Sequence, residues 1–354
     1  MGTLLVYGSY GYTGQLIVAE AIERGMTPVI AGRNVSKVET QANELGLEHR
    51  VFETTHADIV ARQLESIDCV LNCAGPFEAT YEPIVEACLE TETDYLDITG
   101  EISVFEAIAE KDEPASAAGV TLLPGVGFDV VPSDCLGAHL AGALDDPTSL
   151  QLGFDSLGSP TTGTALSTLE GLAGGGMIRE GGSLKSVDPA YNRRTIDFGE
   201  GDRAAVTIPW GDVSTAYRTT GIESIEFYMA LPPAVIRALS LAGRLTPLLG
   251  YPPVQRTLES VIRRTISGPS EDELESGITR LWGRVTDGTT ERVARLKAPN
   301  GYALTAKTAI ECTKRTLEGD VPIGYQTPAN AFGPEFVLSF DGVVRRDAME
   351  PQSS

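Results

Sequence analysis

Gly8, Gly11 and Gly14 stand at three-residue intervals, directly after the apolar run Leu4-Leu5-Val6-Tyr7 and directly before a helical apolar pattern of Leu16, Ile17, Ala19, Ala21 and Ile22. The first glycine permits a tight turn. The second lets backbone N–H groups approach a phosphate, and the third lets the helix pack close to the strand. With Ser9, Tyr10, Tyr12 and Thr13 between them, residues 8–14 form a cradle for a dinucleotide diphosphate. Chemistry at such a nucleotide needs a hydride path, a brace for developing negative charge and a proton source. Four side chains near the same sheet edge can supply the proton: Tyr81, Asp97, Glu101 and Asp129. Asp97 and Glu101 straddle the end of one apolar run, and a carboxyl pushed into a closed pocket becomes a usable acid. Asp129 reads first as a cap on the adjacent turn, and Tyr81 has packing at a helix start as its alternative.

The residues after the second apolar run, Pro28-Val29-Ile30-Ala31, bear on which nucleotide fits. An NAD fold usually places Asp or Glu there, about 20 residues past the glycines, to accept from the ribose 2′-hydroxyl. This chain has Gly32-Arg33-Asn34, with Ser36 and Lys37 close behind. A guanidinium pairs with a 2′-phosphate and lies flat on adenine, and no carboxylate is present to repel that phosphate. Arg33, Asn34 and Lys37 are thus the expected contacts and NADP the expected cofactor, against the reading of Arg33 as a solvated loop residue. The small residues of Cys73-Ala74-Gly75-Pro76 would let backbone groups reach the nicotinamide ribose. Cys73 itself reads first as a buried strand thiol. No Tyr-x-x-x-Lys pair follows the fifth strand, and His49, His56 and His139 fall into no nucleophilic triad.

The elements that must position these residues alternate as strand and helix to about residue 145, the pattern of βα units and a parallel sheet. Strands are expected at 4–7, 28–31, 49–52, 69–74, 94–99 and 120–123. Helices are expected after the glycines and over 35–45, from Asp58, over 80–91 and 102–118, and from Pro132-Ser133-Asp134 to about 144. From about 148 Gly and Thr become dense, at 158–163 and 174–176, and longer alternating runs appear. Ile278–Val285 and Glu291–Leu296 read as antiparallel strands turned at Asp287-Gly288. Thr327-Pro328 opens a last helix, with threonine as cap and proline in the first turn. The expected fold is an α/β Rossmann-type doubly wound parallel sheet with a second α+β domain carrying a mixed or antiparallel sheet. The expected boundaries are 1–147, 148–325 and a C-terminal helix at 326–346 returning to the first domain.

The 354 residues, 42% hydrophobic, are enough for two cores, and the net charge is −22. Arginines number 21 against 6 lysines. Lysine depletion with abundant carboxylates suits a cytoplasm of very high salt; an ordinary acidic protein is the other reading. No basic stripe invites nucleic acid. Cys69, Cys73, Cys88, Cys135 and Cys312 lack metal-ligand spacing, so neither zinc nor a disulfide framework is expected. The chain enters its first strand at once, without a signal-peptide pattern, and no run of about 18 uncharged apolar residues occurs. A cytoplasmic protein is expected. Residues 229–250 are apolar with Arg237, Ser240 and Arg244 on one stripe. That segment could cover an acyl chain, lie peripherally on a membrane, or pack at a subunit interface, and a homodimer is expected.

Five motifs now stand in order: Tyr7–Gly14, Ala31-Gly32-Arg33, Val70–Phe77, Tyr95–Glu101 and Gly127–Asp134. Together they resemble the saccharopine dehydrogenase-like oxidoreductases, a group that includes the trans-acting enoyl reductases. The likeness is strong over about 1–140 and returns at Thr327–Gly333. It implies an NADP-binding Rossmann domain, a substrate domain and a closing helix against the first domain. It leaves the reaction open between three readings. One is an enoyl reductase acting on a small, lipid- or isoprenoid-like molecule. Another is a redox sensor that binds NADP without turnover. The third is a reductase of an amino-acid adduct, for which Arg193, Arg194 and Arg218 form the one local basic cluster.

Overall fold

The computed structural model describes residues 2–156, 175–242 and 270–348. The chain divides into two units, Met1–Val131 with Tyr302–Gly333, and Pro132–Gly301 with Pro334–Ser354.

The first unit alternates as its sequence directs: Leu4–Tyr7 (β1), Tyr12–Glu23 (α1), Val29–Gly32 (β2), Val35–Leu45 (α2), His49–Val51 (β3), Ala57–Ala61 (α3), Cys69–Asn72 (β4), Tyr81–Thr91 (α4), Asp94–Asp97 (β5), Ile102–Ala109 (α5), Asp112–Ala118 (α6) and Thr121–Leu123 (β6). These strands pair in parallel in the order β6-β5-β4-β1-β2-β3. Every residue of β1, β2 and β4 is buried, as a parallel sheet covered on both faces requires. Leu5, Val29, Val60, Leu64, Val70, Ile84, Tyr95, Ile108 and Leu122 join in one core. The single helix expected over 102–118 is two. Pro114 cannot donate to a carbonyl one turn back, but in the first turn of a new helix that donor is not needed.

The second unit contains Val131–Ala141 (α7), Ser149–Ser156 (β7), Gly176–Glu180 (β8), Ser183–Val187 (β9), Arg193–Asp197 (β10), Asp202–Thr207 (β11), Asp212–Thr220 (α8), Ser224–Ala230 (β12), Pro233–Ala242 (α9), Glu271–Ser276 (α10), Ile278–Thr286 (β13) and Glu291–Pro299 (β14). Its sheet is mixed: β12 and β7 run parallel, and the other pairings are antiparallel. The β13–β14 hairpin turns where expected. Asp287 Oδ1 accepts from the backbone N–H of Thr289 at 2.7 Å and of Thr290 at 2.6 Å, which holds its carboxyl down at about 2.

The expected boundary at 147 moves to 131. The helix α7 reads as the last Rossmann helix, but Leu136 and Leu140 lie against Gly283 of β13 in the second unit. The return to the first unit also starts earlier, with Gly301–Leu317 (α11), Gly324–Tyr325 (β15), which joins β6 in parallel, and Pro328–Phe332 (α12). The helix α11 has no apolar stripe that marks it. Its buried face is rich in threonine, and Thr313 and Thr316 donate to the carbonyls of Ala309 and Cys312 one turn back, which lets hydroxyls be buried there. Thr327 caps α12, accepting from Asn330 N–H at 3.3 Å, but that helix ends at Phe332. The last strand, Val344–Asp347 (β16), pairs with β14 in the second unit, so 326–346 is not one helix. The Gly/Thr run at 158–163 and residues 243–250 lie outside the described residues.

Candidate nucleotide site and its acids

Neighbouring β1 and β4 leave the sheet in opposite directions, to β2 and to β5. Their carboxyl ends therefore border the crevice where such a sheet receives a ligand. Gly8 turns the chain there with φ +81°, a left-handed value that favours glycine, and its N–H donates to Ala31 O at 2.8 Å. A Cβ on Gly14 would stand 2.3 Å from Gly8 O, so only glycine lets α1 begin this close to the turn. Gly11 caps α1 without a side-chain hydrogen bond, and the N-terminal turn of a helix is where backbone N–H groups and the helix dipole favour an anion. Space for a Cβ on Gly8 is closed by Ala74, so the glycine loop and the Cys73–Pro76 loop abut. Ser9 faces inward instead. It is fully buried and donates to Gln41 Oε1 at 2.7 Å, while Gln41 Nε2 donates to Ser9 O at 3.0 Å.

At the end of β2, Arg33 and Lys37 are exposed. The Tyr10 ring lies on Gly32, whose Cβ would come within 2.5 Å of Cε1, and the Lys37 ammonium stands 5.5 Å from the ring centre. Asn34 caps α2, accepting from Lys37 N–H at 3.0 Å. An aromatic face and the Lys37 ammonium thus share one corner, with the exposed Arg33 next in sequence to Gly32, and no carboxylate stands on Ala31–Asn34. Cationic side chains of this kind are the ones that can pair with a 2′-phosphate.

The four proposed acids have different settings. Asp97 is fully buried: Oδ1 accepts from the N–H of Thr99 at 3.0 Å and of Gly125 at 2.8 Å, and Oδ2 accepts from Tyr95 OH at 2.8 Å. Burial pushes its carboxyl up to about 6 against those hydrogen bonds. Both oxygens of Glu101 accept backbone amides, Phe77 N–H at 2.9 Å and Glu78 N–H at 2.7 Å, fixing the segment after the cis Gly75–Pro76 bond. Tyr81 is raised by burial and then by Glu82, Glu78, Glu110 and Glu86, of which Glu78 lies on the loop after β4. Asp129 is half-buried on the loop after β6. Its Oδ2 lies where a Cβ on Gly100 would come within 2.8 Å, and burial raises it to about 6. Burial, then Asp97, raises the Cys73 thiol, which keeps it protonated rather than nucleophilic.

Sequence reasoning missed two supports of these loops. Asn72 Oδ1 accepts from Ala74 N–H at 3.0 Å, and its Nδ2 donates to Thr80 Oγ1 at 3.1 Å and Tyr95 OH at 3.4 Å, continuing the chain that ends on Asp97. The signal was an amide closing the apolar run Cys69-Val70-Leu71. The second is α11, where Thr305 Oγ1 accepts from Phe128 N–H at 2.9 Å and Thr308 Oγ1 donates to Val126 O at 2.8 Å. Tyr302 of α11 meets Tyr12 edge to face with centroids 5.5 Å apart. Arg193 and Arg194 line one cavity of the second unit, but with Arg237 rather than Arg218. Among the described residues no helix is long and apolar enough to cross a membrane, and no cluster of metal-ligating side chains occurs.

Residues 4–123 match the family model of the saccharopine dehydrogenase NADP binding domain. A probable mitochondrial saccharopine dehydrogenase-like oxidoreductase of Arabidopsis thaliana is 24% identical over 93% of this chain and 92% of its own. A trans-acting enoyl reductase of Mycobacterium leprae is 30% identical over 37% of this chain and 33% of its own. Apo saccharopine dehydrogenase (L-Glu forming) of Saccharomyces cerevisiae superposes with a TM-score of 0.69 at 12% identity, over 99% of this chain and all of that one, a likeness of fold. With the glycine cradle and the five motifs in place, residues 4–123 match the NADP-binding domain of the saccharopine dehydrogenases, and the chain as a whole is similar to the saccharopine dehydrogenase-like oxidoreductases.

Proposed function

We propose that this protein is an NADP-dependent reductase of a carbon–carbon double bond in an enoyl substrate of lipid or isoprenoid character. Arg33 carries the cofactor half of the reading: it is exposed and directly follows Gly32, on which the Tyr10 ring lies, at the place where an NAD enzyme would have a carboxylate. NADPH, when bound, supplies a hydride. Saturating the double bond then needs one proton, and Asp129 is the group suited to give it. Asp97 is sealed, Glu101 is engaged with two amides, and Tyr81 lies among glutamates. Asp129 is half-buried, so it can meet a substrate and regain its proton from water, and at about 6 it remains partly protonated near neutrality. The Asn72–Tyr95–Asp97 chain and Glu101 hold the surrounding loops still. The relative named as a trans-acting enoyl reductase supports the choice of substrate class. The excess acidity and the 21 arginines against 6 lysines support a high-salt cytoplasm as the setting.

The test is NADPH oxidation with trans-2-enoyl thioesters and polyprenyl acceptors in molar salt. Turnover is expected to fall about 100-fold or more in Asp129→Asn, with nucleotide affinity unchanged. Nucleotide binding with no oxidation by any enoyl acceptor would overturn the reaction proposed.

A further inference from the structure

A dinucleotide with a 2′-phosphate carries two anionic groups on one ribose, at its 2′ and 5′ positions, so the places that receive them must stand at a fixed separation. On the reading proposed above, those places belong to different elements. The glycine turn before α1 takes the diphosphate, and the corner where β2 passes into α2 takes the 2′-phosphate. NADH lacks the second group and needs only the first place. A side chain that fixes the separation therefore acts on NADPH and leaves NADH nearly unaffected.

The helix α2 is thinly anchored. Of its 11 residues only Val38 and Ala42 are buried, and every residue from Arg33 to Lys37 is exposed. Val38 and Ala42 lie one turn apart, a single line of apolar contact that leaves roll about it to be fixed by polar groups. The helix α1, by contrast, buries Gly14, Ile17, Val18 and Ala21. The glycine turn is tied to the end of β2 through its backbone, with Gly8 and Ser9 N–H donating to Ala31 O at 2.8 and 3.3 Å. Gln41 ties it to α2. Its Oε1 accepts from the Ser9 hydroxyl at 2.7 Å, and its Nε2 donates to Ser9 O at 3.0 Å. Satisfying the buried hydroxyl needs only the first bond, and Ala31 O stands 3.4 Å from the same oxygen as another acceptor. The second bond takes hold of the main chain, so the pair fixes where α2 sits against the turn. Gln41 follows Lys37 by four residues and shares its face of the helix, and the Lys37 ammonium stands 5.5 Å from the ring centre of Tyr10, the residue after Ser9.

We propose that Gln41 is a positioning residue for the cofactor: it holds the helix that follows Arg33 and carries Lys37 at the distance from the glycine turn that the 2′-phosphate of a turn-bound nucleotide requires. The proposal rests on the reading of Arg33 and Lys37 as contacts of that phosphate, and it does not depend on which reaction follows.

Calorimetric titrations of NADPH and NADH into the full chain in molar salt test it, with wild type, Gln41→Met and Ser9→Ala side by side. Methionine keeps the length of the side chain and loses both hydrogen bonds. Ser9→Ala loses the bond from the hydroxyl and keeps the one to Ser9 O. Gln41→Met should weaken NADPH by at least about fivefold and NADH by less than about twofold, and Ser9→Ala should move the ratio of the two affinities by less than about twofold. Should Gln41→Met fail to fold, Gln41→Ala carries the same expectation. A residue that merely stabilises the domain would change both affinities together or neither. A wild-type preference for NADPH that Gln41→Met keeps, or an equal weakening of both nucleotides, overturns this proposal alone. A wild type without preference overturns the reading of Arg33, and this proposal with it.

Discussion

Asp97 allows a quantitative prediction because its burial and its hydrogen bonds act in opposite directions. Burial lifts its carboxyl from an ordinary 3.8 to about 6, a net change of about 2 units, or about 3 kcal/mol at 1.36 kcal/mol per unit. The folded value lies above the unfolded one, so the native state binds the proton more tightly. The stability this contributes is complete below about pH 4, declines as pH rises through the folded value near 6, and is gone above it. About 2 kcal/mol of it should vanish between pH 4.5 and 7.5. Asp97→Asn removes that slope while its Oδ1 still accepts from Thr99 and Gly125 N–H. The cost is at Tyr95, whose hydroxyl now faces an amide donor as well as Asn72 Nδ2, about 1 kcal/mol of lost hydrogen bonding. Urea unfolding of both proteins at the two pH values, in the same salt, reads the difference, since every other carboxylate is common to both. The variant should be less stable at pH 4.5 and gain about 2 kcal/mol relative to wild type by pH 7.5. A stability difference that stays flat between those pH values would refute the reasoning.

Three further outcomes follow from the same loops. Gly14→Ala puts a methyl 2.3 Å from Gly8 O and 2.9 Å from Ser9 O, both backbone, so the cradle must open; calorimetry should show NADPH affinity down by about tenfold or more. Glu101→Ala leaves the Phe77 and Glu78 amides without their acceptor, at about 1–3 kcal/mol, and hydrogen exchange at those two amides should accelerate while α1 amides stay protected. If Asp129 gives the proton, turnover should decline as pH rises through about 6, and Asp129→Asn should lose that limb along with most of its rate.

The first unit was legible because its signals are local. Buried parallel strands read as apolar runs, and a Gly-x-x-Gly-x-x-Gly turn has few other uses. The second unit resisted at its borders, since α7 carries the pattern of a Rossmann helix and only tertiary contact with Gly283 assigns it elsewhere. The helix α11 hid because threonines bonded to their own helix bury without an apolar stripe. At the site, the tight turn at Gly8 and the close approach of α1 at Gly14 followed from residue type and spacing. The difference between Asp97 and Asp129 did not. Both are aspartates near strand ends, and only three-dimensional neighbours decide which one is sealed behind Tyr95 and which one lies against Gly100. The grouping of Arg193 and Arg194 with Arg237 rather than Arg218 likewise depends on a sheet register that no periodicity reveals.

The central claim is that Arg33 and its neighbours select a 2′-phosphate, and paired titrations of NADPH and NADH into wild type and Arg33→Asp in molar salt test it most directly. The account predicts that wild type prefers NADPH by about tenfold or more, and that the variant loses this preference while keeping its affinity for NADH. Equal affinity of wild type for the two nucleotides, or a preference that persists in Arg33→Asp, would contradict it.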